Sequence, residues 1–320
     1  MKNYTLKIGG NIINHTAVES ISVTTKIIGA GVLKCKLKNN ESLSYHEGDS
    51  INLDVDGVNL FTGRVMKKRR DKRQLITTTA YDQIFFLTKN RETYVYENKT
   101  AEAVIQMVAG DFGLSLGSIA STGYVIPYRV EDIQTLIDII YTALDLTVIN
   151  TGQLFVLHDV GGRLTLKNIR DMRLQKIISS EETLIDYDYE TNTANNTYNK
   201  VKLVRNNEQT GRRDVFIEQD SGNMNRWGHM QQHQKVSDTL TEAQVINLTA
   251  RKLQLLNRVQ RRLKLDELYA DPKIRAGNSL MVNIPDLGDI HLSHWLVVNR
   301  CTHQISNHKH TMQLDLTGDF

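Results

Sequence analysis

The chain has 320 residues, 40% of them hydrophobic and 23% charged, with a formal net charge of +3. This is an ordinary globular composition, long enough for two or three domains, and the charge is too small to imply a nucleic-acid or anionic-membrane partner by itself. No apolar run approaches the ~20 residues of a membrane span, the start Met1 to Leu6 has no apolar export segment, and two distant cysteines, Cys35 and Cys301, fit a reducing compartment rather than a disulfide framework.

Residues 1 to about 95 read as nearly all strand. Thr5 to Ile8, Ile21 to Ile27, Val32 to Lys38, Gly48 to Met66 and Leu75 to Tyr81 are short and often alternating, separated by Gly, Asn and Ser, at the spacing of a small barrel or sandwich. Gly29-Ala30-Gly31 follows a β-like run, as in a dinucleotide loop, but Lys34 holds the third glycine position and period two continues where a helix should begin, so a glycine turn is expected. The hairpin is the most legible stretch. Ile51, Leu53 and Val55 alternate up to Asp56-Gly57, a pair suited to a type I′ turn, and the pattern resumes at Val58 and Leu60. An unbroken register places Leu53 opposite Leu60 and turns Phe61 to the other side, outward. Glu47 to Val55 can also be laid without gaps on Ala276 to Ile284, which points to one β plan used twice.

Lys67, Lys68, Arg69, Arg70, Lys72 and Arg73 surround Asp71 at the next hairpin tip. The plain reading is a solvated edge; the sharper one is a basic knob for an acidic partner or a phosphate backbone, without interleaved aromatics for base stacking.

From about Thr100 the period becomes helical. Thr100 caps a stripe of Ala101, Val104, Ile105 and Val108 that stops at Gly110, and Ile133, Leu136, Ile137, Ile140 and Leu144 form a second stripe. Leu154 to His158 and Leu164 to Leu166 return to strand. Gly113-Leu114-Ser115-Leu116-Gly117 spells a serine-nucleophile string, but the strand before and helix after that such an elbow needs are missing. Asp186, Asp188 and Glu190 alternate with Tyr187 and Tyr189; three carboxylates on one strand face could serve acid–base chemistry, though a half-buried strand explains the pattern. The polar stretch Asp220 to Gln231 reads as a corner loop pinned by a buried Trp227. Thr239 with Glu242 makes a capping box for a helix over 239–258, with Ala243, Ile246, Ala250 and Leu253 on one stripe and Val245, Leu248 and Leu255 on another. Strands resume after it. A turn at Ser306-Asn307 would set His303 opposite His310 and Cys301 opposite Met312, with His308 nearby, a chemically adequate zinc cluster whose spacing matches no usual zinc pattern, so no metal is expected.

Several short motifs, in order and at their spacing, carry a resemblance: Gly48-Asp49, Asp56-Gly57, Leu60-Phe61, Gly63-Arg64, Tyr81-Asp82, Lys89-Asn90, Asn98 with Thr100-Ala101, Tyr198-Asn199, Val201-Lys202-Leu203, Asp220-Ser221, Asn223, Arg226-Trp227-Gly228, Gln231, Arg275-Ala276-Gly277 and Met312-Gln313-Leu314. From about residue 45 onward the chain resembles the baseplate hub proteins of contractile phage tails, in the defective-prophage and contractile-bacteriocin family of Gram-positive bacteria. Met224 and Met230 depart from its pattern. The resemblance implies a mainly β fold with an α+β insert: a tube-like β-barrel domain over 1–97, a small α/β domain over 98–178, and a second barrel domain over 179–320 that includes the long helix. It implies a homotrimeric ring joining a sixfold tail tube, or its initiator protein, to a threefold central spike, beside other baseplate proteins. Such a hub belongs to a virion or tail-like particle assembled in the bacterial cytoplasm, with no catalytic residue, cofactor, metal or membrane binding of its own. Phe61, Lys67, Lys68, Arg69, Arg70, Lys72, Arg73, Arg226 and Trp227 are the expected partner contacts. Two alternatives belong to other classes: a tail-associated envelope hydrolase using Ser115 or Asp188, and a nucleic-acid binder using residues 67–73.

Overall fold

The structure, a computed structural model, describes residues 3–38, 44–179, 186–207, 210–236, 238, 240–287, 290–306 and 309–318. They divide into two compact units, residues 1–188 with 263–320, and residues 189–262. The chain is mainly β.

The larger unit begins with β1 (Tyr4–Ile8), β2 (Asn11–Ile12), β3 (Val18–Lys26), β4 (Val32–Lys38), β5 (Ser50–Val55), β6 (Val58–Arg70) and β7 (Leu75–Tyr81). Alternation is obeyed almost residue by residue: Leu33, Cys35 and Leu37 of β4 are buried while Lys34, Lys36 and Lys38 are exposed. The Asp56-Gly57 turn forms, with φ of 49° and 78°. Beyond it the expected register fails. Asp54 pairs with Asn59, but Leu53 pairs with Phe61, so Leu60 is the extra residue of a β-bulge. The bulge turns Phe61 inward, where it is 5% exposed and packs in the core with Leu6, Ile51 and Leu53. Phe61 is therefore a core residue and not an outward contact.

A second core belongs to α1 (Ile84–Lys89), β8 (Arg91–Thr100), α2 (Ala101–Asp111), β9 (Leu116–Ile119), β10 (Val125–Thr135), α3 (Leu136–Thr151), β11 (Phe155–Asp159) and β12 (Leu164–Asn168). Thr100 caps α2 through the Ala103 amide, and the helix runs one residue past Gly110. The second helix starts later than its apolar spacing implied. Thr135 caps it, and Ile133 lies in β10 at φ 48°, exposed, because the stripe there belongs to a strand.

β13 (Arg173–Ser179) and β14 (Asp186–Asn192) follow. The smaller unit holds the three-stranded order β16-β15-β17, made of β15 (Lys200–Asn207), β16 (Arg212–Gln219) and β17 (Gln231–Lys235), with α4 (Ser221–Trp227) and α5 (Glu242–Leu256). Residues 221–227 are thus a short helix capped by Asp220, not an irregular corner. The box that starts α5 is Thr241 with Gln244, each side chain bonded to the other's backbone amide, in place of Thr239 with Glu242; Thr239 lies outside the described residues. Val245, Leu248 and Thr249 are buried, while Ile246 and Leu255 are exposed.

β18 (Gln260–Tyr269), β19 (Ser279–Leu287), β20 (Ile290–Ser306) and β21 (Lys309–Thr317) close the chain. Here the sequence repeat becomes a repeat of backbone bonding. Gly48 N–H donates to Val65 O at 2.7 Å and Val65 N–H to Asp49 O at 2.9 Å; Gly277 N–H donates to Val298 O and Val298 N–H to Asn278 O, both at 2.8 Å. Gly48 and Gly277 take the left-handed φ of 95° and 90° that this turn demands. The Asp49 side chain accepts from His46 N–H as the Asn278 side chain does from Arg275 N–H, both at 2.7 Å. The neighbouring ladders break at matching points, between Val65 and Lys67 and between Val298 and Arg300. Two four-strand orders result, β3-β4-β7-β6 and β14-β18-β21-β20, and antiparallel pairing of β3 with β20 joins them into one sheet path. Within the described residues that path stays open.

A buried polar joint fixes the first strands to the α/β region. Asp82 accepts from Gly31 N–H at 2.8 Å and Ile84 N–H at 3.1 Å, Asp159 accepts from Gly162 N–H at 2.8 Å, and the Gln83 amide brackets Ser115, accepting from its N–H and donating to its carbonyl. Gly31 is required by contact: a Cβ there would lie 2.5 Å from Asp82 Oδ2. Burial, reinforced by the Asp159 charge, pushes the Asp82 carboxyl up to about 8. Arg275 is among the charges that offset this, and burial lowers its own pKa.

Two predictions follow from these contacts. A Cβ at Gly63 would sit 2.2 Å from Tyr81 O, whereas one at Gly110 meets nothing within 4 Å; Gly63→Ala is expected to cost about 1–3 kcal/mol and Gly110→Ala to be neutral or to gain up to about 1 kcal/mol, read from urea midpoints. Because the folded chain holds the Asp82 proton more tightly than the unfolded chain, the stability from this group is full near pH 4 and is lost as pH rises towards about 8. Thermal midpoints of Asp82→Asn should fall less than those of the native chain over that window, and parallel curves would contradict the assignment.

Candidate interaction surfaces

The cation run occupies the second half of β6 and the turn after it. Lys67, Arg69, Arg70, Lys72 and Arg73 are exposed, and Lys68 is half-buried with its Nζ 4.4 Å from the Tyr45 ring centroid and bonded to Tyr45 O. Asp71, the one acid of the run, shapes the tip by accepting from Arg73 N–H at 2.8 Å and Leu75 N–H at 3.0 Å, so its carboxylate is committed to the turn. The run therefore presents a cationic strand edge. Arg226 and Trp227 end α4 in the smaller unit, Arg226 exposed and Trp227 half-exposed rather than buried. Phe61 lies in the core, so the expected contact residues do not form one patch.

Sequence inspection missed a polar face that spans both strand sets. Thr24 of β3 and Thr302 of β20 meet at 3.0 Å across the seam. Beside them Gln304, Thr311 and Gln313 line a shallow hollow of about 600 Å³ with Asp186 and Asp266. Its signal was available as alternating Ser, Thr and Gln, but only pairing reveals that these alternations share one face. Lys34 and Lys67 lie opposite Thr79 on either side of β7, and Lys36 and Arg69 opposite Thr77. The face is thus cationic towards β6 and anionic towards β14.

The candidates for chemistry do not converge. Ser115 sits at the rim of an open cleft of about 420 Å³ with Arg64, Asp82, Gln83 and Phe86, and its backbone is held in a loop by Gln83. That is no nucleophile elbow, and no histidine lines the cleft among the described residues. Asp186 and Asp188 are exposed on a sheet-edge strand. In the closing sheet His303 pairs with Met312 and Cys301 with Leu314, two positions from the expected register because Ser306 pairs with Lys309. The even slip keeps the side chains on the same face, and His303 Nδ1 still meets His310 Nε2 at 3.1 Å. His303 Nε2 lies 2.8 Å from Ile274 O and 3.3 Å from Cys301 Sγ, a compact buried hydrogen-bond cluster. Burial raises the Cys301 thiol well above its ordinary range. Among the described residues no group of three or more His, Cys, Asp or Glu is disposed to hold a metal ion; Asn307 and His308 lie outside them.

Residues 21–317 match the YQBQ-like family. The chain is 30% identical over 296 residues to the uncharacterized protein YqbQ of Bacillus subtilis strain 168, covering 92% of this chain and 87% of that one. It is 30% identical over 274 residues to the XkdQ protein of the phage-like element PBSX of the same strain, covering 85% and 82%. The crystal structure of a 43 kDa tail protein of prophage MuSo2 from Shewanella oneidensis superposes with a TM-score of 0.74 at 13% identity, over 98% of this chain and 97% of that one. The chain thus belongs to the YQBQ-like family, and its fold is that of a prophage tail protein.

Proposed function

We propose that the chain is the structural hub of a contractile phage tail or phage-tail-like particle, a trimeric ring that joins a sixfold tail tube to a threefold spike. Similarity at 30% identity to a protein of a phage-like element supports the tail assignment. The observation that carries the hub reading is the doubled strand set. Two sets with the same order and the same turn hydrogen bonds let three chains offer six near-equivalent surfaces to a tube while remaining threefold towards a spike. In this reading residues 1–97 and 179–320 are the two tube-like barrel domains, closed only in the ring, and 98–178 is a spacer between them. The cationic run and Arg226 with Trp227 meet neighbouring baseplate proteins, and the work of the protein is mechanical. Particles of this kind assemble in the bacterial cytoplasm.

Purified particles imaged at the tail tip, with the chain quantified against the tube protein, are expected to hold three copies at the spike end of the tube. Six copies, or a position along the sheath, would defeat the proposal. The hydrolase alternative predicts release of peptidoglycan or lipid fragments by the pure chain, abolished in Ser115→Ala or Asp188→Asn; no turnover is expected.

A further inference from the structure

Two strands of the α/β region, β8 and β10, pair only with each other among the described residues, so their ribbon has an inner and an outer face. The inner face is accounted for. Tyr96 and Ile126 are buried in the second core with Leu136 and Ile140, and Glu131, also buried, is ion-paired with Arg129 at 2.6 Å. The outer face is apolar and uncovered. Val95 lies directly opposite Val130 and Glu97 opposite Tyr128, and residues so paired share a face. Val95 is 59% exposed, Val130 48% and Tyr128 46%. Ile133, 64% exposed, stands at the register shift that follows. With Val125, five exposed large hydrophobic residues occupy this ribbon, and no other pair of strands among the described residues carries as many. Together they make an apolar strip on the order of a few hundred Å², the size at which exposed apolar surface marks an interaction site.

The placement of Ile133 is built into the ribbon and is no frayed end. A β-branched residue at φ 48° is strained, yet its N–H donates to Thr93 Oγ1 at 3.2 Å and its carbonyl accepts from Arg91 Nη1 at 3.0 Å. Strain that the surroundings hold in place gathers at functional sites. The charge around the strip selects its occupant. Residues 84–151 hold eight acids and four bases, net −4 in a chain whose total is +3. Three of the four bases are engaged: Arg91 with Ile133 O, Arg129 with Glu131, and Lys89 with the Phe85 ring, 5.4 Å from its centroid. Glu92, Glu97 and Asp132 are exposed along the same two strands. Such a rim repels an anionic membrane or a nucleic acid.

We infer that the outer face of the β8–β10 ribbon is a docking surface for a segment of a different protein in which apolar side chains are flanked by Lys or Arg. The apolar side chains cover Val95, Tyr128 and Val130, and the flanking cations meet Glu97 and Asp132. Tyr128 supplies the broad aromatic contact that anchors interfaces of this kind. This chain's own cation run at 67–73 is not the occupant, because it has no apolar residue among its charges to fill the strip. The 98–178 region, a spacer in the hub proposed above, thereby gains a partner of its own.

The test puts a photoreactive benzoylphenylalanine in place of Val130 and, as a control, in place of Ile246 on α5, in the full chain made in its native host. After irradiation the linked peptide is identified by mass. The expected link from position 130 joins a different protein at a segment mixing apolar residues with Lys or Arg, and the control gives no such link. Glu97→Lys with Asp132→Lys should lower its yield about tenfold, and changing the cations of the linked segment to Glu should restore it. Tyr128→Asp should abolish the link, with folding checked by circular dichroism; if that chain does not fold, Tyr128→Ser reads the same contact. Absence of a link, a link to lipid or to a second copy of this chain, a linked segment that is acidic or wholly polar, or charge-reversed variants that link as the native chain does would each overturn the inference. The link and the tail-tip imaging are separate readouts. A chain absent from the tail tip that still gives the link removes the hub reading alone, and a chain at the tail tip that gives none removes this surface alone.

Discussion

The antiparallel seam between β3 and β20 is the constraint on which the molecule depends. A strand inside a sheet has backbone partners on both sides, and the seam gives both strands that condition while setting the faces of everything beside them. Ile21, Val23, Cys301, His303 and Ile305 are turned to the buried side, and Thr24 and Thr302 to the polar side. A slip by one residue would invert both faces. The repeated turns at Gly48 and Gly277 feed strands into equivalent places on either side of this seam, so a chain of two strand sets behaves as one sheet.

Much of this was legible because the determinants are local. Alternation in β4, the Asp56-Gly57 turn and the Thr100 cap are properties of a few neighbouring residues, and each takes its expected form. What was lost depends on partners distant in sequence. The Leu60 bulge leaves no local mark, and it alone decides whether Phe61 faces core or solvent. Ile133 fits a helical stripe by spacing, yet pairing of β10 with β8 claims the chain up to Thr135. The acidic alternation at 186–190 was visible, but its meaning as the last strand of a path required the whole topology.

The motifs that carry the family resemblance are mostly places where backbone geometry is costly to replace. Asp56 and Asn98 hold positive φ, Gly63 approaches Tyr81 O, Asp82 satisfies two buried amides, and Asp220 caps a helix. None of these is a reactive group, which explains why reading them for chemistry found only scattered candidates. The Asp82 joint also shows how a sheet and an α/β region can be held in register without a large shared apolar face. Its carboxylates accept backbone amides from Gly31, Ile84 and Gly162, three segments far apart in the chain.

The connection between β14 and β18 has a further consequence. Its counterpart in the first strand set, between β3 and β4, spans only residues 27–31, whereas here residues 193–259 intervene and include most of the smaller unit. Closing a longer loop costs entropy that grows only logarithmically with its length, so this tip tolerates a guest of its own fold. The short tip at residues 27–31 has no room for such a guest without disturbing Gly31, which is committed to the buried joint at Asp82.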